Sequence, residues 1–321
     1  MLSKLACVGS GTIGSSWAVQ FAMNGYDVVL YDLREDILND ALKNIRRNLN
    51  ILVENAVIGK DQARDAASRI RPTTKLADVK GADYIQESVV ERLNVKIEVF
   101  GQLEKVVGEN TIIASSTSGL LMSEIQKPLS RPDRTVIAHP FNPPHLIPLV
   151  EIVPGKQTVP QTVKQTQEFM KRLGKEPIIV KKEIEGFVAD RLQVVLDREL
   201  LNLIDDGVVD MEDAEKVFYA GLGIRLAIMG QFTINALAGG PGGLRYELEH
   251  FKGLQHDVLS TLKEWESMPD SAREEAVAQA QELIVLKGKT YDQLVRWRDE
   301  KLISMLKHLN YLPQPAHLAQ S

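Results

Sequence analysis

The sequence predicts an α/β N-terminal domain built on a mainly parallel sheet, followed by an all-α C-terminal domain. Up to about residue 180, short β-branched runs alternate with stretches of helical period, the pattern of strands joined through covering helices. Beyond about residue 184 no convincing strand occurs, only amphipathic helices broken by glycine or proline. At 321 residues the chain also exceeds one typical domain. The expected division is 1–183 and 184–321.

In chain order, strands are expected at "KLACVG" (4–9), "YDVVLYD" (26–32), "ADYIQE" (82–87), "TIIAS" (111–115), "TVIAH" (135–139), "LVEIV" (149–153) and "EPIIV" (176–180). Helical period marks 12–24, 35–57, 93–107 and 159–173 between them. In the second half, 187–204 sets Phe187, Arg191, Val194, Val195, Leu200 and Leu203 at near-helical spacing. Further helices are expected near 210–220, 226–238, 271–286 and 291–309, with "AGGPGG" (238–243) as a break and Trp297 packed at a seam.

Composition narrows the function classes. A net charge of −5 without a Lys/Arg run argues against nucleic acid. Cys7 is the single cysteine, so no internal disulfide forms, which suits a reducing cytoplasm. "MLSKLACVGSG" reaches glycine too soon for a signal peptide, and no apolar run of about 18 residues suggests a membrane span. The expectation is a soluble cytoplasmic protein without a membrane or nucleic-acid partner.

"CVGSGTIGSSW" carries Gly9-x-Gly11-x-x-Gly14 after a strand and at the head of a helix. One glycine makes the turn, the next lets the backbone approach a pyrophosphate, and the third packs helix on strand. The helix N-terminus offers free N–H groups to the phosphates. Asp32 ends the second strand, where a carboxylate accepts hydrogen bonds from both ribose hydroxyls and repels a 2′-phosphate. NAD is therefore expected over NADP, although Arg34 nearby keeps NADP open. A tight turn binding nothing is the bland alternative.

An NAD enzyme oxidising an alcohol needs a group to take the hydroxyl proton, and histidine suits this near neutrality. Of the six histidines, His139 alone ends an expected strand of the sheet domain, at the end where open α/β sheets hold ligands. His145 follows two prolines and is expected at the loop surface. His250, His256, His308 and His317 lie in the helical half or tail, with structural or solvent roles. No third ligand is spaced to join His139 and His145, so no metal site is expected. Glu151 could accept the other imidazole N–H and fix the tautomer. The prolines at 140, 143, 144 and 148 would hold the two strands in register. "ASSTSGLL" (114–121) offers Ser115, Ser116, Thr117 and Ser118 at another strand end. A hydroxyl there could meet the substrate oxygen or simply cap the next helix.

These motifs, with "HPFNPP", "PLVEIV" and "EGFVADRL", stand in the order found in the L-3-hydroxyacyl-CoA dehydrogenase superfamily, which the chain resembles over nearly its whole length. The resemblance implies a Rossmann-like NAD-binding domain and a helical domain that supports a homodimer. It places Ser118 on the substrate-contacting serine, His139 on the catalytic base and Glu151 on its partner. Glu91 and Lys96 resemble positions beside the cofactor, and Asn142 resembles the asparagine of the histidine loop. The implied cofactor set is Gly9, Gly11, Thr12, Ile13, Gly14, Asp32, Glu91, Lys96, Ser118 and Asn142.

One position departs from the pattern: the asparagine of "GF-x-x-N-R" is Asp190 here. An ionised aspartate only accepts hydrogen bonds. It suggests a counter-ion for a cationic substrate, or a helix-surface aspartate paired with Arg191 or Arg198. "GLGIRLAIMG" and "LAGGPGGLRYELEHF" resemble the small-acid branch. That implies NAD-dependent oxidation of a short polar L-3-hydroxy acid of the L-carnitine or L-gulonate type. A short-chain acyl-CoA substrate and a non-catalytic, crystallin-like NAD-binding protein are the alternatives.

Overall fold

The computed structural model describes residues 3–312, so His317 lies outside the described residues. Eight strands form one sheet: β1 (Lys4–Val8), β2 (Asp27–Tyr31), β3 (Ile70–Thr73), β4 (Tyr84–Glu87), β5 (Ile112–Ser115), β6 (Thr135–Pro140), β7 (Leu149–Val153) and β8 (Glu176–Ile179). Their order is β3-β2-β1-β4-β5-β6-β7-β8. Neighbours run parallel except β6 and β7, which are antiparallel. β3 is absent from the sequence expectations because "IRPT" is short and holds a proline. Pro72 is tolerated there because the strand lies at the sheet edge.

Helices α1 (Thr12–Met23), α2 (Glu35–Glu54), α3 (Lys60–Ser68), α4 (Leu93–Val106), α5 (Met122–Ile125) and α6 (Pro160–Arg172) connect the strands. α2 buries Leu38, Ala41, Ile45, Leu49 and Leu52 at helical spacing, with Glu35 and Asp36 in its first turn, where the helix dipole favours acids. Two apolar clusters form, one around Trp17, Phe21, Tyr84 and Phe169, the other around Ile85, Phe100, Ile113 and Ile137. Tyr84 and Ile85 are successive residues of β4, so the clusters lie on opposite faces of the sheet.

Register sets the functional edge. Val8 pairs with Tyr31 and with Glu87, Glu87 with Ser115, and Ser115 with Ile137. The C-terminal ends of β2, β1, β4, β5 and β6 therefore finish along one edge, followed by Asp32, Gly9, Ser88, Ser116 and, on β6 itself, His139.

The remaining helices are α7 (Ala189–Asp205), α8 (Met211–Val217), α9 (Gly223–Leu226), α10 (Gln231–Ala238), α11 (Gly243–His250), α12 (Lys252–Leu259), α13 (Asp270–Ala280) and α14 (Tyr291–His308). A π-helical stretch, Phe218–Leu222, joins α8 to α9. The helix expected over 226–238 is broken: α9 ends at Leu226 and α10 starts after Gly230. The one expected from 187 starts at Ala189, because Phe187 has φ +48° and cannot continue a helix.

The described residues through Arg191, with those from Val295 on, make one compact unit, and Leu192–Leu294 make the second. In this division the break falls at Arg191/Leu192, and α14 from Val295 on belongs to the first unit. In α14, Ile303 and Leu306 are buried in the Trp17 cluster, and Arg296 bridges to Glu54 at 2.5 Å. The end of the "helical half" thus completes the sheet unit. Trp297 is 44% exposed. Among the described residues no single helix is long and apolar enough to cross a membrane, although Met211–Leu226 with Gln231–Ala238 passes that test as a pair bent by 86°.

Candidate active site

β1 stops at Val8, and Gly9 turns the chain with φ +92°, which costs glycine nothing. A Cβ on Gly9 would lie 2.6 Å from the Ser88 carbonyl oxygen, and one on Gly14 would lie 1.8 Å from that of Gly9. Gly11 differs: its Cβ would meet no protein atom within 4 Å. The fold itself demands Gly9 and Gly14 but not Gly11. The N–H groups at the start of α1, at Thr12 and Ile13, could hold a diphosphate, and its close approach would give Gly11 a reason. Gly11→Ala is therefore expected to melt like the parent but bind NADH at least tenfold more weakly, whereas Gly9→Ala should also melt lower. Thermal melts beside an NADH fluorescence titration check this; parent-like binding by Gly11→Ala would remove the diphosphate from the turn.

Asp32 is held in place from two sides. Its Oδ2 accepts from Ser10 N at 2.7 Å and Ser10 Oγ at 2.9 Å, and its Oδ1 from Leu33 N at 2.8 Å. Oδ1, which accepts only this one bond among the described residues, keeps acceptor capacity for a ribose hydroxyl. Arg34 turns onto Asp36, Nε to Oδ1 at 2.9 Å, so its charge is compensated away from Asp32. Both features fit NAD.

Beneath the next strand ends lies a buried ion pair. Lys96 Nζ sits 2.8 Å from Glu87 Oε1 and 3.3 Å from Glu91 Oε2, with Lys96 and Glu87 both at 0% exposure. Glu87 also accepts from Val89 N at 2.7 Å and Ser115 Oγ at 2.6 Å, so its charge is well satisfied despite the burial. Glu91 accepts from the Thr117 hydroxyl and from Ser118 N at 3.0 Å. Burial would raise the Glu91 carboxyl, but these bonds and Lys96 hold it below the ordinary range. Sequence reasoning overlooked Glu87; the signal was the pair Gln86-Glu87 inside an otherwise apolar, fully buried strand.

Three of the four hydroxyls in "SSTS" are committed: Ser115 to Glu87, Ser116 to Gln86 at 2.7 Å, and Thr117 to Glu91. Ser118 is exposed, and among the described residues its hydroxyl makes no hydrogen bond. Asn142 is exposed in the loop that follows β6.

The antiparallel ladder sets His139 directly opposite Glu151. His139 Nδ1 lies 3.0 Å from Glu151 Oε2, both side chains almost fully buried. The other oxygen, Glu151 Oε1, accepts from Val188 N at 3.0 Å and Ala189 N at 3.1 Å, the start of α7. One carboxylate therefore caps a helix and orients an imidazole. The segment that delivers those N–H groups turns through Gly186 (φ +71°) and Phe187 (φ +48°). A left-handed phenylalanine is strained and persists only when its surroundings fix it. Here Phe187 is fully buried with its ring 5.5 Å from the His139 ring, and Phe141 lies 5.7 Å away on the same imidazole. With Nδ1–H given to Glu151, Nε2 carries the lone pair and can take a proton.

Comparison with known proteins gives the family. Residues 4–184 match the NAD-binding domain of 3-hydroxyacyl-CoA dehydrogenase, and residues 186–278 match its C-terminal domain. The chain belongs to the 3-hydroxyacyl-CoA dehydrogenase family. It is 40% identical to L-carnitine dehydrogenase of Bacillus cereus over 78% of this chain and 76% of that protein. It is 36% identical to the human lambda-crystallin homolog over 94% of each. A solved 5-formyl-3-hydroxy-2-methylpyridine 4-carboxylic acid 5-dehydrogenase, described as an NAD+-dependent dismutase, superposes with a TM-score of 0.82 at 28% identity, covering 97% of this chain and 99% of that one. The protein is thus an NAD-dependent 3-hydroxy acid dehydrogenase of the branch that holds L-carnitine dehydrogenase and lambda-crystallin.

In this member of the 3-hydroxyacyl-CoA dehydrogenase family, Asp190 Oδ1 stands 4.0 Å from His139 Nε2, with 29% of its side chain exposed. Arg191, a suggested partner, instead donates to the Glu185 carbonyl at 3.4 Å. Burial raises the Asp190 carboxyl above its ordinary value; Glu151 and Glu91 add to the rise and His139 opposes it. His145 is not at the loop surface as expected but 2% exposed, because its ring finds a buried hydroxyl partner in Ser16. No cluster of three metal-ligating side chains occurs among the described residues.

Proposed function

We propose that the protein oxidises the 3-hydroxyl of a short polar L-3-hydroxy acid, of the L-carnitine or L-gulonate type, to the 3-oxo acid. The observation that carries this reading is the His139–Glu151 pair at 3.0 Å, with Nε2 turned toward Asp190. NAD, when bound by Gly9–Gly14 and Asp32, supplies the acceptor for the hydride leaving the hydroxyl carbon. His139 Nε2 takes the hydroxyl proton. Glu151 holds the Nδ1–H tautomer and stabilises the imidazolium that forms. Being fastened to the start of α7, its carboxylate cannot swing away. Ser118, with its uncommitted hydroxyl, donates to the substrate oxygen. Lys96 and Glu91 hold the "SSTS" segment at the cofactor, and Asn142 closes the same edge. Leu33, 78% exposed beside Asp32, and Val90, 56% exposed beside Glu91, offer apolar faces for the cofactor rings.

Asp190 sets the substrate's charge. A carboxylate beside the reacting nitrogen favours a cation next to the hydroxyl carbon, and the neighbouring Phe141 ring offers a face to a quaternary ammonium. The relatives named L-carnitine dehydrogenase agree with that chemistry. The test is the initial rate of NADH formation with L-carnitine, L-gulonate, L-3-hydroxybutyrate and its CoA thioester, in the parent and in Asp190→Asn. Asp190→Asn should raise KM for L-carnitine by about tenfold or more and leave L-gulonate within about threefold, as loss of a single charge contact implies. Equal damage to both acids would assign Asp190 to the imidazole network. Turnover of the thioester alone would favour the acyl-CoA reading, for which the groove between α2 and α3, lined in part by Arg46, Lys60 and Arg64, offers cations. No turnover with any of the four would favour a non-catalytic, crystallin-like role.

The helical unit leaves Val194, Val195, Phe232, Leu237, Leu254 and Leu259 exposed. That apolar surface supports a homodimer built through this unit.

A further inference from the structure

We propose that Ser16 and His145 form a positioning pair that ties the loop between the catalytic strands to the dinucleotide helix, with Lys175 seating that loop from below. The proposal rests on the reading of His139 as the base.

Residues 141–148 carry the chain from the His139 strand to the Glu151 strand. Prolines at 143, 144 and 148 remove N–H donors from this stretch, so it cannot fasten itself by a backbone ladder. Inside the loop, Leu146 N and Ile147 N both donate to the Pro143 carbonyl, at 2.9 and 3.0 Å. Other fastenings come from outside. Lys175 Nζ donates to the carbonyls of Pro144 and of Ile147, the latter at 3.0 Å, and lies 5.8 Å from the Trp17 ring of α1. Ser16, adjacent on α1 and two residues past Gly14, accepts the His145 backbone N–H at 3.0 Å. Its own hydroxyl proton is then free for His145 Nδ1, 2.7 Å away. Ser16 is 1% and His145 2% exposed, so water does not compete.

The Ser16 oxygen already accepts the His145 backbone N–H, which makes its hydroxyl the donor to Nδ1 in this proposal. Burial first, and then the charges of Lys175, Arg298 and Arg47, push the His145 pKa down to about 3. A ring held neutral keeps one nitrogen lone pair, and the Ser16 hydroxyl, 2.7 Å away, is placed to meet it at Nδ1. Arg298 is itself paired with Asp299 at 2.8 Å. The helix whose N-terminus receives the diphosphate and the loop that spaces His139 from Glu151 are thereby fastened at one buried point. A hydrophobic pair would fill the space at lower desolvation cost but would carry no direction.

The test uses the full chain with NADH alone, so it does not depend on the base assignment; turnover by His139→Gln would overturn that assignment separately. Amide hydrogen exchange at His145, Leu146 and Ile147 is measured with and without saturating NADH in the parent, Ser16→Ala, His145→Leu and His145→Asn. In the parent, NADH should slow exchange there about tenfold. Ser16→Ala and His145→Leu should bind NADH and lose that slowing, while His145→Asn, whose Oδ1 can replace the Nδ1 acceptor, should keep it. In turnover, the first two should lower kcat about 10- to 100-fold with KM for NAD within threefold, as misplacement of a reacting group implies. If Ser16→Ala does not fold, the Leu and Asn variants of His145 make the same comparison. Parent-like slowing in His145→Leu, or parent-like kcat per folded molecule, overturns the proposal.

Discussion

Replacing His139 by glutamine is expected to lower kcat by about 10²–10⁴-fold while NADH still binds as in the parent. Glutamine matches the reach of the ring but cannot take a proton, so the alcohol must lose its proton to water. Cofactor affinity should persist because the diphosphate turn and Asp32 belong to β1 and β2, separated from β6 in the sheet by β4 and β5. The imidazole packs between Phe141 and Phe187 and makes its direct hydrogen bond to Glu151, so a neutral side chain of similar size leaves the fold intact. Absorbance at 340 nm measures the first effect and quenching of intrinsic fluorescence by NADH the second. Parent-like turnover would retire the assignment.

Glu151 carries two duties, which different substitutions should separate. In Glu151→Gln one acceptor oxygen remains, and the amide NH2 must face either Nδ1–H of His139 or the N–H groups of Val188 and Ala189. Both meetings set donor against donor. The variant should lose about 10³–10⁴-fold in kcat through the wrong tautomer, by analogy with the carboxylate of a Ser-His-Asp triad, and melt a few degrees lower. Glu151→Ala also leaves both α7 amides unpaired and a void between β7 and the Phe187 turn. It should cost about 2–4 kcal/mol of stability, measurable by denaturant unfolding. A Glu151→Gln enzyme with parent-like kcat would show that the carboxylate is only a helix cap.

Much of this arrangement was legible in the residues. The glycines, Asp32, and the placing of His139 and Glu151 on separate strands follow from local rules that need no long-range information. The antiparallel register then brings those two residues face to face. What could not be read came from backbone and from distant partners. The N–H groups that hold Glu151 belong to Val188 and Ala189, whose side chains say nothing about them. His145 looked like loop surface because two prolines precede it, while its partner Ser16 lies 129 residues earlier. The return of α14 onto the sheet unit hid for the same reason: an apolar stripe at Leu302, Ile303 and Leu306 shows that a face is buried but not against what. Phe187 fitted a helical pattern, and its left-handed turn appears only once the capping of α7 is known.

Whether His139 can act as a base depends on which of its ring nitrogens holds the proton. Asp190 near Nε2 and Glu151 at Nδ1 compete for the one proton of the neutral imidazole. Long-range ¹⁵N–¹H correlation spectra of selectively labelled protein report which nitrogen holds it. The parent should show the Nδ1–H tautomer, with Nε2 unprotonated, and Glu151→Gln should lose that preference. A parent ring carrying its proton on Nε2, indifferent to Glu151, would leave the base without a lone pair for the substrate and contradict the mechanism.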